Sequence, residues 1–422
     1  MTVVFFERVF YNIVAADCKA FMESIKVLLS CVEKKSFQKG RSFPREGGWK
    51  GMGMKERVVV GMSGGVDSSV AAYLLKEQGY DVVGVTMQLW QECGGVSLSD
   101  KEEAGCGWKT VEDAGAVAQV LGIPHYVVDF RERFSCCVKD YFVEEYLRGH
   151  TPNPCIVCNR RIKWEALLQW SLELGAQYIA TGHYARVVKL PNGRFSLRSS
   201  VSSDKDQTYV LYSLTQEQLS CTLMPLGEYE KSRIRAIARE AGLPVAQKPD
   251  SQEICFVPDD NYGGFIDRAA GERVPGPGNF VDEEGKVLGR HRGITHYTIG
   301  QRRGLGLPMG ERVYVTQIRP AANEVVVGRE EALFAREVCC GQVNFMGVED
   351  LEAPVRACAK IRYRHKGEYC RVEKTEDGGL RACFEKPVRA PAPGQSVCFY
   401  LDDYVLGGGV IVSARGAFLP GP

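Results

Sequence analysis

A glycine- and serine-rich loop, Gly61–Ser69, follows a short apolar run and precedes a segment with the apolar periodicity of a helix. Its sequence is GMSGGVDSS, in which two adjacent glycines let the backbone turn tightly and approach a charged ligand. The N–H groups and the dipole at the start of a helix favour a phosphate there. The serine hydroxyls add donors, and Asp67 is a candidate ligand for a magnesium ion that bridges phosphates.

The spacing of this loop separates it from two common nucleotide-binding motifs. The Gly-Lys-Ser/Thr sequence of a Walker A loop does not follow. The G-x-G-x-x-G spacing of a dinucleotide-binding fold is also absent. The remaining alternative is a serine–glycine turn that only caps a helix. The strand–loop–helix context favours a phosphate-binding loop over such a turn.

Two cysteines in the spacing C-x-x-C, Cys155 and Cys158, form the second candidate site. Two prolines stiffen the preceding loop, and the apolar periodicity predicts a helix over Ile162–Leu174. Cys158 would then lie just before a helix start and near three basic side chains, which are Arg160, Arg161 and Lys163. Positive charge and a helix N-terminus both stabilise a thiolate, so we expect Cys158 to be reactive.

The C-x-x-C spacing alone does not define its chemistry. It is compatible with half of a zinc site, a dithiol redox pair, two ligands of an iron–sulfur cluster, or two packed cysteines. No second C-x-x-C occurs in the chain, so an all-cysteine tetrahedral zinc site would lack its other half. A further cysteine, Cys255, lies in the polar segment Lys248–Phe256, where on its own it would be interpreted as a core residue.

Strand and helix patterns alternate through the first half of the chain. The predicted strands are Val58–Met62, Asp81–Leu89, His125–Phe130 and Tyr178–Thr181. The helices between them are predicted at Ser68–Gln78, Lys109–Leu121, Tyr141–Leu147 and Ile162–Leu174. This alternation predicts an α/β domain with a parallel sheet and helices on both faces.

Short strand patterns replace this alternation after about residue 259. A hairpin is predicted from Val313–Ile318 and Glu324–Val327. The later predicted strands are Cys358–Tyr363, Tyr369–Glu373, Leu380–Glu385, Ser396–Tyr400 and Gly409–Val412, and they indicate a small barrel or sandwich. We therefore predict a nucleotide-binding domain over residues 54–260, a small central domain over 261–332 and a β domain over 333–416. Residues 1–53 differ from the rest in composition. We interpret them as an extension that results from an upstream start site, so that the functional chain would begin near Met52 or Met54.

Composition excludes several classes of protein. The 422 residues include 53 Lys and Arg against 52 Asp and Glu, which excludes a uniformly basic nucleic-acid coat protein. The 16 cysteines are too few for a disulfide scaffold, and they indicate a reduced, cytoplasmic location. No apolar run approaches the roughly 18 residues of a transmembrane helix, so we expect no membrane partner.

Together, these motifs resemble those of the tRNA-uridine 2-sulfurtransferases, or tRNA-specific 2-thiouridylases, of the PP-loop ATP pyrophosphatase superfamily. The similarity covers about residues 55–415. Besides the loop Gly61–Ser69, the matching segments are 151–164, Thr181–Ala185, Lys205–Tyr209, Asp250–Phe256 and Pro393–Gln395. The resemblance implies a PP-loop domain of the adenine nucleotide alpha hydrolase-like type, a small central domain and a C-terminal β-barrel.

This family 2-thiolates the wobble uridine of tRNAs for lysine, glutamate and glutamine. The resemblance implies that ATP, with Mg²⁺, adenylates the C2 oxygen, and that AMP and pyrophosphate are released. The implied partners are tRNA and a persulfide donor, which is a cysteine desulfurase or a sulfur-relay protein. Two other functions share the loop: a PP-loop ligase that adenylates a carboxylate, and an RNA-binding adaptor that uses ATP as a switch. The ligase would not need the Cys158 and Cys255 pair.

The resemblance also assigns residues to roles. The ATP-binding set is Gly61, Met62, Ser63, Gly64, Gly65, Val66, Asp67, Ser68, Met87 and Gly182. The residues facing the target base are Asn153, Pro154 and Cys155. The tRNA-contacting set is His183, Lys205, Asp206, Gln207, Arg362, Tyr363 and Gln395. Cys158 would be the nucleophile and Cys255 the persulfide carrier, and the two would form a transient disulfide.

Two routes for sulfur remain open at this stage. In the preferred route, the persulfide on Cys255 delivers sulfur and Cys158 resolves it, which predicts that both thiols lie in mobile loops. In the alternative, Cys155, Cys158 and Cys255 hold three irons of a [4Fe–4S] cluster. Some relatives have Asp where this chain has Cys155, and this departure favours the cluster more here than in those relatives.

Overall fold

The computed structural model describes residues 55–90, 108–250 and 254–416. Residues 1–53, which we interpret as an extension, lie outside the described residues. Within the described ranges, no helix has the length and apolar character that crossing a membrane requires.

The strands fall into three sheets. They are β1 (Arg57–Gly61), β2 (Asp81–Gln88), β3 (His125–Asp129), β4 (Tyr178–Ala180), β5 (Ala185–Lys189), β6 (Phe195–Ser199), β7 (Thr222–Leu223), β8 (Gly278–Val281), β9 (Val287–His291), β10 (Tyr314–Arg319), β11 (Glu324–Gly328), β12 (Phe334–Phe345), β13 (Val355–Lys360), β14 (Glu368–Lys374), β15 (Leu380–Arg389), β16 (Ser396–Leu401) and β17 (Tyr404–Gly416).

The helices lie mainly in the first 270 residues. They are α1 (Val66–Glu77), α2 (Trp108–Leu121), α3 (Arg131–Phe134), α4 (Asp140–Leu147), α5 (Pro154–Cys158), α6 (Leu167–Glu173), α7 (Thr208–Leu211), α8 (Gln216–Ser220), α9 (Lys231–Glu240) and α10 (Tyr262–Ala270). Two π-helical segments, Ser135–Lys139 and Asn159–Ala166, join α3 to α4 and α5 to α6. Short 3₁₀ turns occur at Ser203–Lys205, Pro225–Glu228, Gly271–Arg273, Ile294–His296, Pro320–Ala322 and Glu330–Leu333.

The first sheet is parallel, with the strand order β3-β2-β1-β4-β7. Its central strand β1 is apolar because both of its faces are covered. Val58 packs with Val70 and Ile234 on one face, while Val59 packs with Leu167 on the other. The predicted α/β sheet with helices on both faces is therefore confirmed.

The central part contains a four-stranded sheet in the order β10-β11-β8-β9. The predicted hairpin is confirmed, because β10 and β11 pair in antiparallel orientation. Phe280, Val315 and Val325 form a small core on this sheet, and none of the three side chains is exposed.

The third sheet closes into a six-stranded barrel, in the order β12-β15-β14-β13-β16-β17 with β17 paired back to β12. The sequence patterns did not predict β12, and they predicted only residues 409–412 of β17. Three successive glycines obscure the pattern of β17, yet the close approach of neighbouring strands requires them. A Cβ on Gly407 would lie 2.5 Å from the Asn344 carbonyl oxygen, and one on Gly408 would lie 2.5 Å from that of Val397.

The hairpin β5–β6 connects the nucleotide-binding part to the barrel, which the sequence did not predict. Strand β6 pairs with β17, so the hairpin extends the sheet of the barrel. The Ser196 hydroxyl donates a hydrogen bond to the Val405 carbonyl at 2.7 Å, and Leu197 is fully buried beside Tyr400 and Met346. The two parts therefore share one apolar core.

We predict that Leu197→Ala lowers the free energy of unfolding by about 2–5 kcal/mol, because it opens a cavity in this shared core. Urea unfolding followed by circular dichroism measures the change. Leu172→Ala is the matched control, since Leu172 is 59% exposed, and it should change stability by less than about 0.5 kcal/mol. Equal midpoints for the two variants would show that the hairpin is not part of the core.

Candidate functional site

The loop Gly61–Ser69 lies at the carboxyl end of β1, where parallel sheets place their ligands. Gly65 is the N-cap of α1 and supplies no side-chain cap, which leaves the start of this helix open to an anion. Gly64 has a φ of +63°, and a Cβ there would lie 2.6 Å from the Thr110 carbonyl oxygen. The Ser63 N–H donates to the Ser68 hydroxyl at 3.1 Å, which holds the loop in shape.

Residues from two neighbouring strands meet this loop, as the resemblance predicts. Gly182 follows β4, and a Cβ there would lie 2.6 Å from the Ser68 backbone nitrogen and 2.7 Å from the Asp67 carbonyl carbon. Met87 lies near the end of β2, and a Cβ on Gly61 would lie 3.7 Å from its methyl carbon. The structure thus brings the expected ATP-binding set together at one edge of the sheet.

The carboxylate of Asp67 is bound by a cation of the chain itself. The Lys231 ammonium donates to its two oxygens at 2.7 and 2.8 Å, and the Tyr184 hydroxyl donates at 2.7 Å. Burial raises the pKa of Tyr184, and the Asp67 carboxylate raises it further, so this hydroxyl keeps its proton. Because Lys231 competes for the oxygens that a magnesium ion would need, we derive no step through magnesium at Asp67.

Asp250 forms ion pairs with three cationic side chains beside Asp67. Lys231 lies 2.9 Å, Lys205 3.0 Å and Arg235 2.7 Å from its oxygens. Burial alone would raise the pKa of Asp250, but hydrogen bonds from Lys231 and Lys205 lower it to about 2. The carboxylate is therefore ionised at neutral pH, and Lys231 bridges it to Asp67.

The helix that carries the C-x-x-C pair begins at Pro154, eight residues before the predicted start at Ile162. The Asn153 side chain accepts a hydrogen bond from the Cys155 N–H at 3.1 Å, and Pro154 occupies the first helical position. Both features favour a helix start. The prediction that Cys158 lies just before a helix start is therefore wrong, and the exposed Cys155 is closer to that start.

Cys158 lies inside the helical segment and faces an apolar cluster. Its side chain is 9% exposed, and the cluster includes Phe142 and Ile162. The expectation that this thiol lies in a mobile loop is wrong, because the helix continues without a break from α5 into the next π-helical segment. Burial in this cluster, rather than a helix N-terminus, therefore defines the environment of the Cys158 thiol.

Cys255 is exposed and lies in a turn, and its neighbours anchor it to the same cluster. Ile254 and Phe256 both pack there with Cys158. The ring centroid of Phe256 lies 5.4 Å from that of Phe142. The fold thus brings Cys158 and the two neighbours of Cys255 to one apolar cluster, although the two cysteines are 97 positions apart in sequence.

The described residues contain no group of three or more His, Cys, Asp or Glu side chains that could hold a metal ion. Cys155, Cys158 and Cys255 all lie within the described part of the chain. Cys155 is exposed, whereas Cys158 is buried in the apolar cluster. This arrangement does not fit three ligands of a [4Fe–4S] cluster, and we derive no step through one.

His183 is held on the face of a buried tryptophan. Its Nδ1 lies 2.7 Å from the Thr181 hydroxyl, and its ring centroid lies 5.4 Å from that of Trp164. Burial, and secondarily the positive charge of Lys163, lower the pKa of His183 well below its usual value. The ring is therefore neutral at pH 7 and offers a polar edge rather than a charge.

The segment Lys205–Tyr209 uses its side chains within the protein. The Asp206 carboxylate is 5% exposed and pairs with Lys360 of β13 at 3.2 Å. The Gln207 side-chain oxygen accepts a hydrogen bond from the Tyr184 N–H at 3.0 Å. The resemblance assigns these residues to tRNA, whereas in this structure the side chains of Asp206 and Gln207 connect parts of the chain.

The expected tRNA contacts of the barrel lie next to the thiol helix. The Gln395 amide donates to the Thr151 carbonyl at 3.0 Å, and the Arg362 guanidinium donates to a barrel carbonyl at 2.7 Å. Tyr363 is 41% exposed. Burial raises its pKa, and Asp206 and Cys155 raise it further. The ring centroid lies 6.4 Å from that of Tyr209, whose hydroxyl donates to the Ser396 carbonyl next to Gln395, so the ring lies on the side of the barrel that meets the C-x-x-C segment.

Three family models match the chain in succession. They are a tRNA methyl transferase HUP domain over residues 56–259, a tRNA methyl transferase PRC-barrel domain over 264–329 and an aminomethyltransferase beta-barrel domain over 335–411. The tRNA-specific 2-thiouridylase MnmA of Lachnoclostridium phytofermentans is 56% identical over 358 residues, which cover 85% of this chain and 99% of that protein. The chain belongs to the family of tRNA-specific 2-thiouridylases.

Other members and solved structures extend this comparison. The 2-thiouridylase MnmA of Clostridium acetobutylicum is 54% identical over 85% of this chain and 100% of that protein. Members of this family are tRNA sulfurtransferases, so the chain is an enzyme of that class. A solved structure of the U34-tRNA thiolase NcsA from Methanococcus maripaludis with its [4Fe-4S] cluster is 17% identical, with a TM-score of 0.31 over 52% of this chain and 67% of that chain.

Four residues of the candidate site were not predicted from the sequence. Tyr184 and Asp250 lie within matching segments, which was a usable signal. Lys231 has no local signal, because a cation at a helix N-terminus is unfavourable unless carboxylates from elsewhere meet it. Lys248 donates to the carbonyl of Gly64 at 3.1 Å, and only the folded structure shows this contact.

We predict that Gly182→Ala lowers the affinity for an α,β-methylene ATP analogue by about tenfold or more, because its Cβ would clash with the Ser68 nitrogen. Isothermal titration measures the affinity, and thermal melting reports folding. Gly276→Ala is the control, since no atom lies within 4 Å of its added Cβ, and it should bind normally. Unchanged affinity in Gly182→Ala would contradict the position of the nucleotide.

Proposed function

We propose that this chain uses ATP to 2-thiolate the wobble uridine of tRNAs for lysine, glutamate and glutamine. The reaction passes through an adenylated base and a cysteine persulfide, and it releases pyrophosphate and AMP. One observation carries the proposal: Cys158 and the residues on both sides of Cys255 share a cluster, and Met87, which packs against that cluster, lies next to Gly61 of the loop. Membership in the 2-thiouridylase family supports it.

In the first step, the C2 oxygen of the flipped uridine attacks the α-phosphorus of ATP, and pyrophosphate leaves. The open start of α1 binds the phosphates, and Lys231 supplies positive charge beside them. Asn153, Pro154 and Cys155 face the base at the start of α5. These groups act mainly by positioning the base and ATP and by stabilising charge. Magnesium, when bound to ATP, would neutralise part of the phosphate charge.

In the second step, the terminal sulfur of the Cys255 persulfide attacks C2, and AMP leaves with the former C2 oxygen. The Cys158 thiolate then attacks Sγ of Cys255. The persulfide S–S bond breaks, its electron pair stays on the sulfur now attached to C2, and a Cys158–Cys255 disulfide forms. An external dithiol reduces this disulfide before the next cycle. Because Cys158 is 9% exposed, the turn that carries Cys255 must move to admit the attack.

The persulfide route requires two thiols that can meet, and it is supported by the packing of Cys158 with Ile254 and Phe256, the neighbours of Cys255. A cluster route would require three thiols around one centre, and the described residues do not show that arrangement. Cys155 is then free of a ligand role, and its exposed position at the start of α5 suits contact with the target base.

The proposed substrate is a whole tRNA, and the proposed sulfur source is a cysteine desulfurase or a sulfur-relay protein. Tyr363 has an exposed ring near the C-x-x-C segment, so we assign to it stacking on an unpaired base. His183, Lys205, Asp206, Gln207, Arg362 and Gln395 would shape the surface around that ring. The proposed activity belongs to the cytoplasm, where its tRNA substrate is found.

We predict that Cys158→Ala and Cys255→Ala each reduce 2-thiouridine formation at least about 100-fold, since each removes one of the two reacting sulfurs. Mass spectrometry of nucleosides measures the product after incubation with tRNA, ATP and a cysteine desulfurase. Pyrophosphate release should continue in both variants, because adenylation precedes sulfur transfer.

Two matched variants serve as controls. Cys370→Ala removes a buried thiol of the barrel core, and Cys383→Ala removes an exposed one. Both should keep near-normal thiolation. Full activity of Cys255→Ala with the desulfurase would contradict the persulfide route, and absence of 2-thiouridine with the wild-type chain would contradict the proposed function.

A further inference from the structure

The segment Lys205–Tyr209, which we call the junction, is bonded on one side to the nucleotide loop. The Lys205 ammonium lies 3.0 Å from Asp250, which shares Lys231 with Asp67. Ion pairs of alternating charge therefore connect Asp67 of the phosphate loop, through Lys231 and Asp250, to Lys205 of the junction.

A second path, through Tyr184, connects the Asp67 carboxylate to the junction. The Tyr184 hydroxyl donates to Asp67 at 2.7 Å, and the Tyr184 N–H donates to the side-chain oxygen of Gln207 at 3.0 Å. The Gln207 N–H in turn donates to the Tyr184 carbonyl at 2.9 Å. Two independent sets of contacts therefore fix the junction relative to Asp67.

The other side of the junction is bonded to the barrel. Asp206 pairs with Lys360 at 3.2 Å, the Thr208 hydroxyl lies 3.1 Å from that of Tyr400, and the Tyr209 hydroxyl donates to a barrel carbonyl at 2.8 Å. The Asp206 carboxylate is 5% exposed and also accepts a hydrogen bond from Thr208 at 2.7 Å. A buried carboxylate held in this way is sensitive to loss of either partner.

The exposed Tyr363 ring lies within reach of the junction. Its centroid is 6.4 Å from that of Tyr209. Burial raises the pKa of Tyr363, and the charge of Asp206 raises it further. The junction therefore lies between the phosphate loop and the ring that we assign to the tRNA.

We propose that Asp206, through its pair with Lys360, is a positioning residue that couples nucleotide binding at Gly61–Ser69 to tRNA binding on the barrel. This inference rests on the proposed function and deepens it. A triphosphate on the loop competes with Asp67 and Asp250 for Lys231. Asp250 then shifts its contact toward Lys205, and the Asp206–Lys360 pair carries this shift to the barrel.

Such coupling must be reciprocal and is measured as a ratio of affinities. The experiment compares the Kd of a substrate tRNA with and without saturating α,β-methylene ATP, by fluorescence anisotropy on the full chain. We expect the analogue to tighten tRNA binding about fivefold or more in the wild type, the lower end of typical allosteric coupling. Equal affinities with and without the analogue in the wild type would overturn the proposal.

The test variants are Asp206→Asn, Lys360→Met and the double substitution. Each should reduce the ratio to below about twofold, and the double variant should lose no more than the single ones, because one pair carries the effect. Lys360→Arg keeps the charge and should retain most of the ratio. A merely structural role would lower the melting temperature without changing the ratio, and an unchanged ratio in Asp206→Asn would overturn the proposal.

The pair Lys374–Asp350 is a matched control on the same barrel. Its atoms lie 2.7 Å apart, and both side chains are more exposed than those of Lys360 and Asp206. Lys374→Met and Asp350→Asn should keep the wild-type ratio. Loss of the ratio in these controls would contradict a role specific to the junction.

Lys205→Met tests the junction without touching its buried carboxylate, because Lys205 is 38% exposed. We expect the same loss of the ratio. Equal weakening of tRNA binding with and without nucleotide would show that Lys205 acts on tRNA binding alone, and it would contradict the proposed path. Formation of 2-thiouridine by the wild type is assayed in parallel, so failure of the coupling is distinguished from failure of the proposed function.

Discussion

The Lys231 ammonium, shared between Asp67 and Asp250, is the contact on which the site depends most. It joins the helix that follows the phosphate loop to a second helix and to the segment that leads toward Cys255. Two carboxylates so close to each other would repel without it. The same Asp250 also holds Lys205 of the junction. The nucleotide loop, the approach to Cys255 and the approach to the barrel therefore meet around one cation.

The rest of the fold places the two reactants around this point. The carboxyl edge of the parallel sheet brings the loop, Met87 and Gly182 together, and this is where we propose that ATP binds. The β5–β6 hairpin extends the barrel sheet, so that Tyr363 and Gln395 lie beside the start of the C-x-x-C helix. Their contacts make the barrel a wall of the site rather than a separate appendage.

Much of this arrangement could be predicted from the sequence, and the misses have physical reasons. Continuous apolar runs that alternate with helical patterns predicted the parallel sheet. Its central strand is apolar because both of its faces are buried. The β5–β6 hairpin was missed although the turn Asn192–Gly193 is a hairpin signal. Glycines hid most of β17, because close packing of strands, rather than strand propensity, selects them there.

For the thiols, too, the sequence predicted which residues matter better than it predicted their surroundings. The motif resemblance identified Cys158 and Cys255, and the structure brings Cys158 and the neighbours of Cys255 to one cluster. The predicted environment of Cys158 was wrong, because Asn153 and Pro154 start the helix earlier than its apolar periodicity indicates. The ion pairs of Lys231 could not be predicted, since they depend on carboxylates that are distant in sequence.

The central claim is that ATP activates the C2 oxygen of the target uridine, so that this oxygen leaves with AMP. A tRNA carrying ¹⁸O at C2 of the wobble uridine tests this claim directly. After one turnover with ATP and a cysteine desulfurase, mass spectrometry of the nucleotides should find the ¹⁸O in the phosphate of AMP and none in pyrophosphate. Unlabelled AMP, formed together with 2-thiouridine, would contradict the account.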